Sequence, residues 1–180
     1  MEREKRLYTE TERFILRELN ESDVDGMFAL DSDPEVLRYL VMDPVQNKQQ
    51  ALETINMVRQ QYVSNGIGRW AVIDKETSEF LGWAGLKFVQ ENTNGHISFY
   101  DVGYRLLKKH WGKGVATECT IAALDYGFHV LKIETIYAAA HIDNKGSNNV
   151  LKKVGMKFIE TFEYKGTVQN WYKMNKEEWK

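Results

Sequence analysis

A single cysteine, Cys119, stands among the 180 residues, so no intramolecular disulfide can form. A chain of that kind fits a reducing compartment, and the cytoplasm is the expected location. Charge of one sign is also lacking. The formal net charge is -2, which excludes both a global basic field that would attract nucleic acid and an acidic tail. No run of about 18 apolar residues occurs, so no membrane span is expected. Residues 2–6 are charged and are not followed by the apolar stretch of a signal peptide. The four histidines, His96, His110, His129 and His141, include no pair at the i, i+4 spacing of a helical zinc site, and Cys119 has no partner cysteine. No metal is expected.

What is present is ordinary for a globular domain: 43% hydrophobic and 28% charged residues. The length suits one domain, residues 1–180, with a core that needs no staples. Residues 14–19 read as a first strand. Ser22 or Asp23 can cap a helix to about Leu30, and Asp33-Pro34-Glu35 opens a short helical turn. Ala51, Ile55, Val58 and Tyr62 fall at helical spacing, which predicts a helix over 48–64 ended by Asn65-Gly66. The period then changes. Strands are predicted at 70–73, 80–89 and 97–106, joined by polar turns into an antiparallel meander. A helix from the 112–114 turn to about Val130, a strand at 133–142 and a helix at 144–154 follow. Gly155 suits the left-handed position after that last helix, and a hairpin of 158–164 and 168–174 closes the chain. The order is β-α-α-β-β-β-α-β-α-β-β, an α+β domain with a mixed sheet.

The informative segment is Trp111-Gly112-Lys113-Gly114-Val115-Ala116-Thr117, between a strand and a helix. Glycines let the backbone turn tightly and approach a ligand. The first amides of the helix have no internal partner, and with the helix dipole they suit a pyrophosphate. A tight turn with no ligand is the alternative at this point. A Walker loop needs a hydroxyl residue after Gly-Lys, where Gly114 stands, and a Rossmann fingerprint needs a small residue at Thr117 and a parallel βαβ unit. A second segment, Asn144-Lys145-Gly146-Ser147, opens the next helix, with Asn144 a good N-cap. A long ligand could lie between the two strands that precede these helices.

In this order the segments resemble the GNAT superfamily of acetyl-CoA-dependent N-acetyltransferases, and more closely its RimJ/RimL branch, which acetylates N-terminal amines of ribosomal proteins. The opening strand (Thr11-Glu12-Arg13-Phe14-Ile15-Leu16-Arg17), Asp33-Pro34-Glu35-Val36, Asp101-Val102-Gly103-Tyr104, His110 to Glu118, and Val154-Gly155-Met156 carry the similarity along nearly the whole chain. The resemblance implies a GNAT fold: a mostly antiparallel mixed sheet of about seven strands, splayed between the fourth and fifth, with about four helices. It implies that backbone groups of Tyr104, Arg105 and Leu106 pair with the pantetheine arm of acetyl-CoA. Amides of Trp111, Gly112, Lys113, Gly114, Val115, Ala116 and Thr117 would hold its pyrophosphate, and Asn144 would lie near the thioester. Trp111 occupies a position where the family usually has Gln or Arg.

The expected reaction is direct attack of an amine on the thioester. Asp101 is the candidate base, with His141 as a second candidate; a strand-end carboxylate or an amine anchor is the other reading of Asp101. Many relatives place a tyrosine four residues before the glycine matching Gly155, to protonate the leaving thiolate. Here that residue is Leu151. The RimJ/RimL-like alternative is Ser147, unless it serves only backbone amides. Tyr100, Trp70, Trp83 and Trp171 line an acceptor pocket or belong to the core. Glu118 reads as structural and Cys119 as buried. The acceptor is expected to be a protein N-terminal α-amine, with a polyamine, an aminoglycoside or an amino-acid derivative as the alternative. A non-catalytic acyl-CoA-binding module and a nucleotide-binding regulator are the other readings. Acetyl-CoA is the expected co-substrate, neither nucleic acid nor membrane is an expected partner, and a homodimer is left open.

Overall fold

Alternating burial sets the first interior strand: β2 (Phe14–Glu18) follows the pattern buried, half-buried, buried along its length. A computed structural model describes residues 6–180, and the charged residues 1–5 lie outside it. Its other elements are β1 (Leu7–Glu10), α1 (Val24–Asp31), α2 (Pro34–Leu37), α3 (Lys48–Ser64), β3 (Trp70–Asp74), β4 (Phe80–Val89), β5 (Phe99–Leu106), α4 (Val115–Asp125), β6 (Thr135–His141), α5 (Lys145–Lys153), β7 (Lys157–Tyr164) and β8 (Thr167–Asn175). The eight strands form one sheet in the order β1-β2-β3-β4-β5-β6-β8-β7. Only β5 and β6 run parallel among these neighbours.

The sequence reading found seven of these strands and missed β1. That strand has four residues, with Tyr8 alone buried, so it carries too little alternation to register. Tyr8 is fixed by packing, stacked on Trp70 at 5.0 Å with Tyr126 edge-on at 5.7 Å. Strand β5 begins at Phe99 rather than at residue 97, because Ser98 adopts a positive φ of 57° that ends the extended run. Asp23 holds the N-cap position of α1, as expected, but makes no side-chain cap bond to it. Asn20 accepts from the Ser22 amide and Asp23 accepts from the Asn20 amide, closing a capping box on a 3-10 turn before α1. Asp23 meanwhile binds Arg17 through two contacts of 2.8 Å. Helix α4 passes into a π turn over Tyr126–Val130, where the Leu131 amide reaches back to the Tyr126 carbonyl at 3.1 Å.

Helix α3 packs through Ala51, Ile55, Val58 and Tyr62, the stripe predicted for it. Of these, Ile55 and Val58 each contribute about 1.5–3 kcal/mol on burial. The main core continues through Leu16, Trp70, Leu86, Phe128 and Tyr172. A second cluster of Val89, Phe99 and Trp171 sits apart from it. Among the described residues no helix is long and apolar enough to cross a membrane.

The feature that positions the site is the join between β5 and β6. They pair only at Tyr100↔Ile136 and Asp101↔Tyr137. Beyond Asp101 the strands part, leaving a notch that widens towards the turn before α4. On its outer edge β5 stays fully paired with β4, from Val89↔Phe99 to Gly82↔Leu106.

Candidate active site

The turn from β5 to α4 is built by the residues singled out in the sequence. Gly112 and Gly114 take φ of 71° and 78°, a region that costs a residue with a Cβ about 1–2 kcal/mol. A Cβ on Gly112 would meet nothing within 4 Å, so backbone conformation rather than crowding selects glycine there. The ladder of α4 begins with the Glu118 amide donating to the Gly114 carbonyl at 3.0 Å. The amides of Val115, Ala116 and Thr117 precede that first bond and remain available to an anion. Of the expected set, Trp111 has protein partners for both of its N–H groups. The Trp111 amide donates to Lys108 at 3.1 Å, and the Trp111 indole N–H donates to the Leu106 carbonyl at 2.8 Å. Trp111 therefore locks the entrance of the turn, its amide already taken by Lys108.

Arg13, just ahead of β2, braces this turn from the far side. Its Nε and Nη2 meet Glu118 Oε2 at 2.8 and 2.7 Å, and its Nη1 donates to the Lys113 carbonyl at 3.1 Å. Burial pushes the Glu118 carboxyl up, but hydrogen bonds from Thr11 and Arg13 outweigh it and hold the group below its ordinary range. A carboxyl depressed in the folded state contributes stability above its unfolded pKa, and that contribution disappears as pH falls through the folded value. The gap in Tm between the wild type and Glu118→Gln is therefore expected to stay level from about pH 5 to 8. It should shrink below about pH 4, near and under the unperturbed Glu value. Thermal melts across that series check this.

The notch is lined on one side by Tyr104, Arg105 and Leu106, whose inner backbone edge has no strand beside it. Facing them is the start of α5. Asn144 caps that helix, its Oδ1 accepting from the Ser147 amide at 3.1 Å. The Tyr104 hydroxyl crosses to the same turn, 2.9 Å from Ser147 Oγ and 3.0 Å from the Ser147 carbonyl. Burial raises the Tyr104 phenol well above its ordinary pKa, with the Ser147 hydrogen bond only partly offsetting it, so it stays protonated. Asn148 fixes the helix: its Nδ2 donates to the carbonyls of His141 (2.9 Å) and Asn144 (2.8 Å). Its Oδ1 accepts from Asn170 and from the Tyr172 hydroxyl, each at 2.7 Å. Neither Asn148 nor the Tyr104 side chain was singled out by the sequence reading. Leu151, standing where many relatives have tyrosine, is core, 1% exposed.

Asp101 sits at the vertex of the notch, on the last pair before the strands part. Its carboxylate is bound by Arg69, whose Nη1 also donates to the carbonyls of Gly85 (2.5 Å) and Asp101 (2.8 Å). Arg105 binds Asp31, which is fully buried, at 2.6 Å. Both guanidinium groups lie over Trp83, at 5.3 and 5.1 Å from its ring centre. His141, at the open end of β6, stacks on Tyr39 at 5.3 Å, and its Nδ1 accepts from the Asp143 amide at 3.1 Å. Trp70 and Trp171 are core residues, and Tyr100 packs on Phe88 at 5.1 Å.

Cys119 is wholly buried, and burial pushes its thiol up to about 12. Without thiolate there is no nucleophile. A thiol reagent is therefore expected to label the native protein at less than about one hundredth of the rate seen in denaturant, as mass spectrometry would show.

Unpaired amides at a glycine turn thus stand beside a strand pair that splays. Residues 13–157 match the model of the acetyltransferase (GNAT) domain. The uncharacterized N-acetyltransferase p20 of Bacillus licheniformis is 31% identical over 163 residues, covering 91% of this chain and 86% of that protein. The spermidine N(1)-acetyltransferase of Escherichia coli is 25% identical over 78% of this chain and 70% of its own length. A GNAT-family acetyltransferase from Bacillus anthracis superposes with a TM-score of 0.78 at 23% identity, over 94% of this chain and 98% of that one. RimL, a ribosomal L7/L12 alpha-N-protein acetyltransferase solved in complex with coenzyme A, gives 0.77 at 16% identity, over 94% and 98% of the two chains. With the domain match spanning most of its length, this chain belongs to the GNAT acetyltransferase family and is an acyl-CoA-dependent N-acyltransferase.

Proposed function

We propose that the protein transfers acetyl from acetyl-CoA to a protein N-terminal α-amine, by direct attack on the thioester, and that it does so in the cytoplasm. The observation that carries the reading is the notch between β5 and β6 with the glycine turn at its mouth. Amides of Gly112 to Thr117 hold the diphosphate, the free edge of Tyr104 to Leu106 pairs with pantetheine, and Asn144 lies by the thioester. Ser147 hydrogen-bonds the leaving thiolate. Asp101, at the vertex, takes up the amine proton, directly or through water.

Two features favour an α-amine. An α-amine of pKa about 8 costs about 1.4 kcal/mol to deprotonate at pH 7, against about 4.6 for a lysine of pKa about 10.4. A site whose carboxylate is already tied to arginine can provide the former more readily than the latter. The two carboxylates named near the vertex, Asp31 and Asp101, are each bound by an arginine. They therefore offer little to a polycation such as a polyamine. The fold shared with RimL points the same way.

The test is acetyl transfer measured against N-terminal peptides, polyamines, aminoglycosides and amino-acid derivatives at equal concentrations. Free thiol is expected with peptides bearing an unblocked α-amine, with kcat/KM at least about tenfold above any small amine. Turnover confined to small amines would overturn the acceptor class. Acetyl-CoA binding with no turnover on any amine would leave a binding module instead.

A further inference from the structure

The position that many relatives give to a tyrosine on α5 holds buried Leu151 here, yet a phenol still reaches the notch from the opposite wall. Tyr104 lies on the part of β5 that has left β6, and its hydroxyl crosses the gap to the first turn of α5. We infer that Tyr104 is a positioning residue for departure of the thiolate: its hydroxyl holds Ser147 Oγ so that the serine proton can turn into the notch. This rests on the proposed reading in which the thioester lies beside Ser147.

Three observations carry it. First, Ser147 is not needed as a cap. Asn144 already satisfies the Ser147 amide at 3.1 Å, so the serine hydroxyl is spared the usual task of a first-turn serine. Second, the Tyr104 oxygen stands almost equally far from two acceptors on the same residue, 2.9 Å from Oγ and 3.0 Å from the carbonyl. The pair therefore has two arrangements, the first making one hydrogen bond more until a ligand accepts from the serine. In one, tyrosine donates to the carbonyl and serine donates to tyrosine. In the other, tyrosine donates to Oγ and the serine O–H is free to point at a ligand. Third, burial keeps the phenol a donor over the working pH range.

The reaction selects between the arrangements. As the C–S bond of the tetrahedral adduct breaks, its electron pair goes to sulfur. A hydrogen bond to that developing anion is about twice as strong as a neutral one, so the second arrangement is favoured as charge builds. The proton that finally neutralises sulfur is the one given up by the attacking nitrogen and passed through water. Neither hydroxyl ends the cycle ionised, and the products are the amide and free coenzyme A.

The experiment is a double-mutant cycle of Tyr104→Phe and Ser147→Ala, with kcat and KM for acetyl-CoA, calorimetric affinity for coenzyme A and Tm recorded for each protein. Tyr104→Phe is expected to lower kcat about tenfold, with KM, affinity and Tm close to wild type. In the Ser147→Ala background the same change is expected to alter kcat by less than about twofold. A wild-type kcat in Tyr104→Phe would overturn the inference, as would effects that multiply in the double variant, or a loss seen in affinity rather than kcat. Absence of acetyl transfer by the wild-type protein would remove the proposed activity and this role together. Normal transfer with an unaffected Tyr104→Phe variant would remove only the role.

Discussion

Gly114→Val is expected to weaken acetyl-CoA binding by on the order of 100-fold while leaving a folded protein. Gly114 holds φ at 78° directly ahead of α4. A β-branched residue resists that region more than any other kind, and the added Cβ would lie 3.4 Å from the Arg13 guanidinium. The turn can accept valine only by rotating its peptide planes. That moves the amides of Gly114 and Val115 out of convergence, and each hydrogen bond to a charged ligand is worth about 1.5–3 kcal/mol. Losing one or two of them gives the stated factor. Gly166→Val is the matched control. Gly166 has φ of 77° in the β7–β8 hairpin, so the backbone cost is similar but no anion site is disturbed. It is expected to lower Tm and to leave acetyl-CoA affinity within about twofold. Calorimetric titration and thermal melts of both variants check the pair.

Arg69→Ala should destabilise the fold by about 2–4 kcal/mol, a drop in Tm of about 5–12 °C for a chain of this size. The arginine and Asp101 side chains are 12% and 20% exposed. Removing the guanidinium leaves a largely buried carboxylate without its partner, and also the Gly85 and Asp101 carbonyls that it bonded. It removes one of the two cations lying on Trp83 as well. A cost of this kind comes mainly from the abandoned charge rather than from the net worth of the pair. Adding Asp101→Ala to Arg69→Ala should therefore restore part of the lost stability, and urea titrations of the single and double variants measure how much. Since Asp101 marks where β5 leaves β6, the single variant is also expected to lose turnover beyond what its unfolding explains.

The parts of this structure legible in the sequence are those governed by local rules. Gly112 and Gly114 announce a strand-to-helix turn because positive φ is a property of single residues. Asn144 announces its helix because a cap acts within three residues, and the α3 stripe follows from its period. The start of α1 was legible for the same local reason: Asp23 holds its N-cap position, although the Asp23 side chain closes a box with Asn20 instead of capping α1. What could not be read are the pairings across long separations. Arg13 meets Glu118 across 105 residues, Arg105 meets Asp31 across 74, and Tyr104 meets Ser147 across 43. Each side chain looks like an ordinary polar residue until the sheet order brings it to its partner. That the Trp111 amide has a partner within the protein could not be read for a related reason. A 3-10 turn over Lys108–His110, which has no strong sequence signature, takes that amide first.

The binding of coenzyme A through its diphosphate at the Gly112–Thr117 amides is tested most directly by titrating the wild-type protein with acetyl-CoA and, separately, with acetyl-pantetheine, which lacks the diphosphate. Acetyl-CoA is expected to bind one-to-one and at least about 100-fold more tightly, since two or more charge-assisted hydrogen bonds to the diphosphate, together with any contacts of the adenosine 3′-phosphate, separate the two ligands. Equal affinities, or no heat of binding with acetyl-CoA, would contradict it.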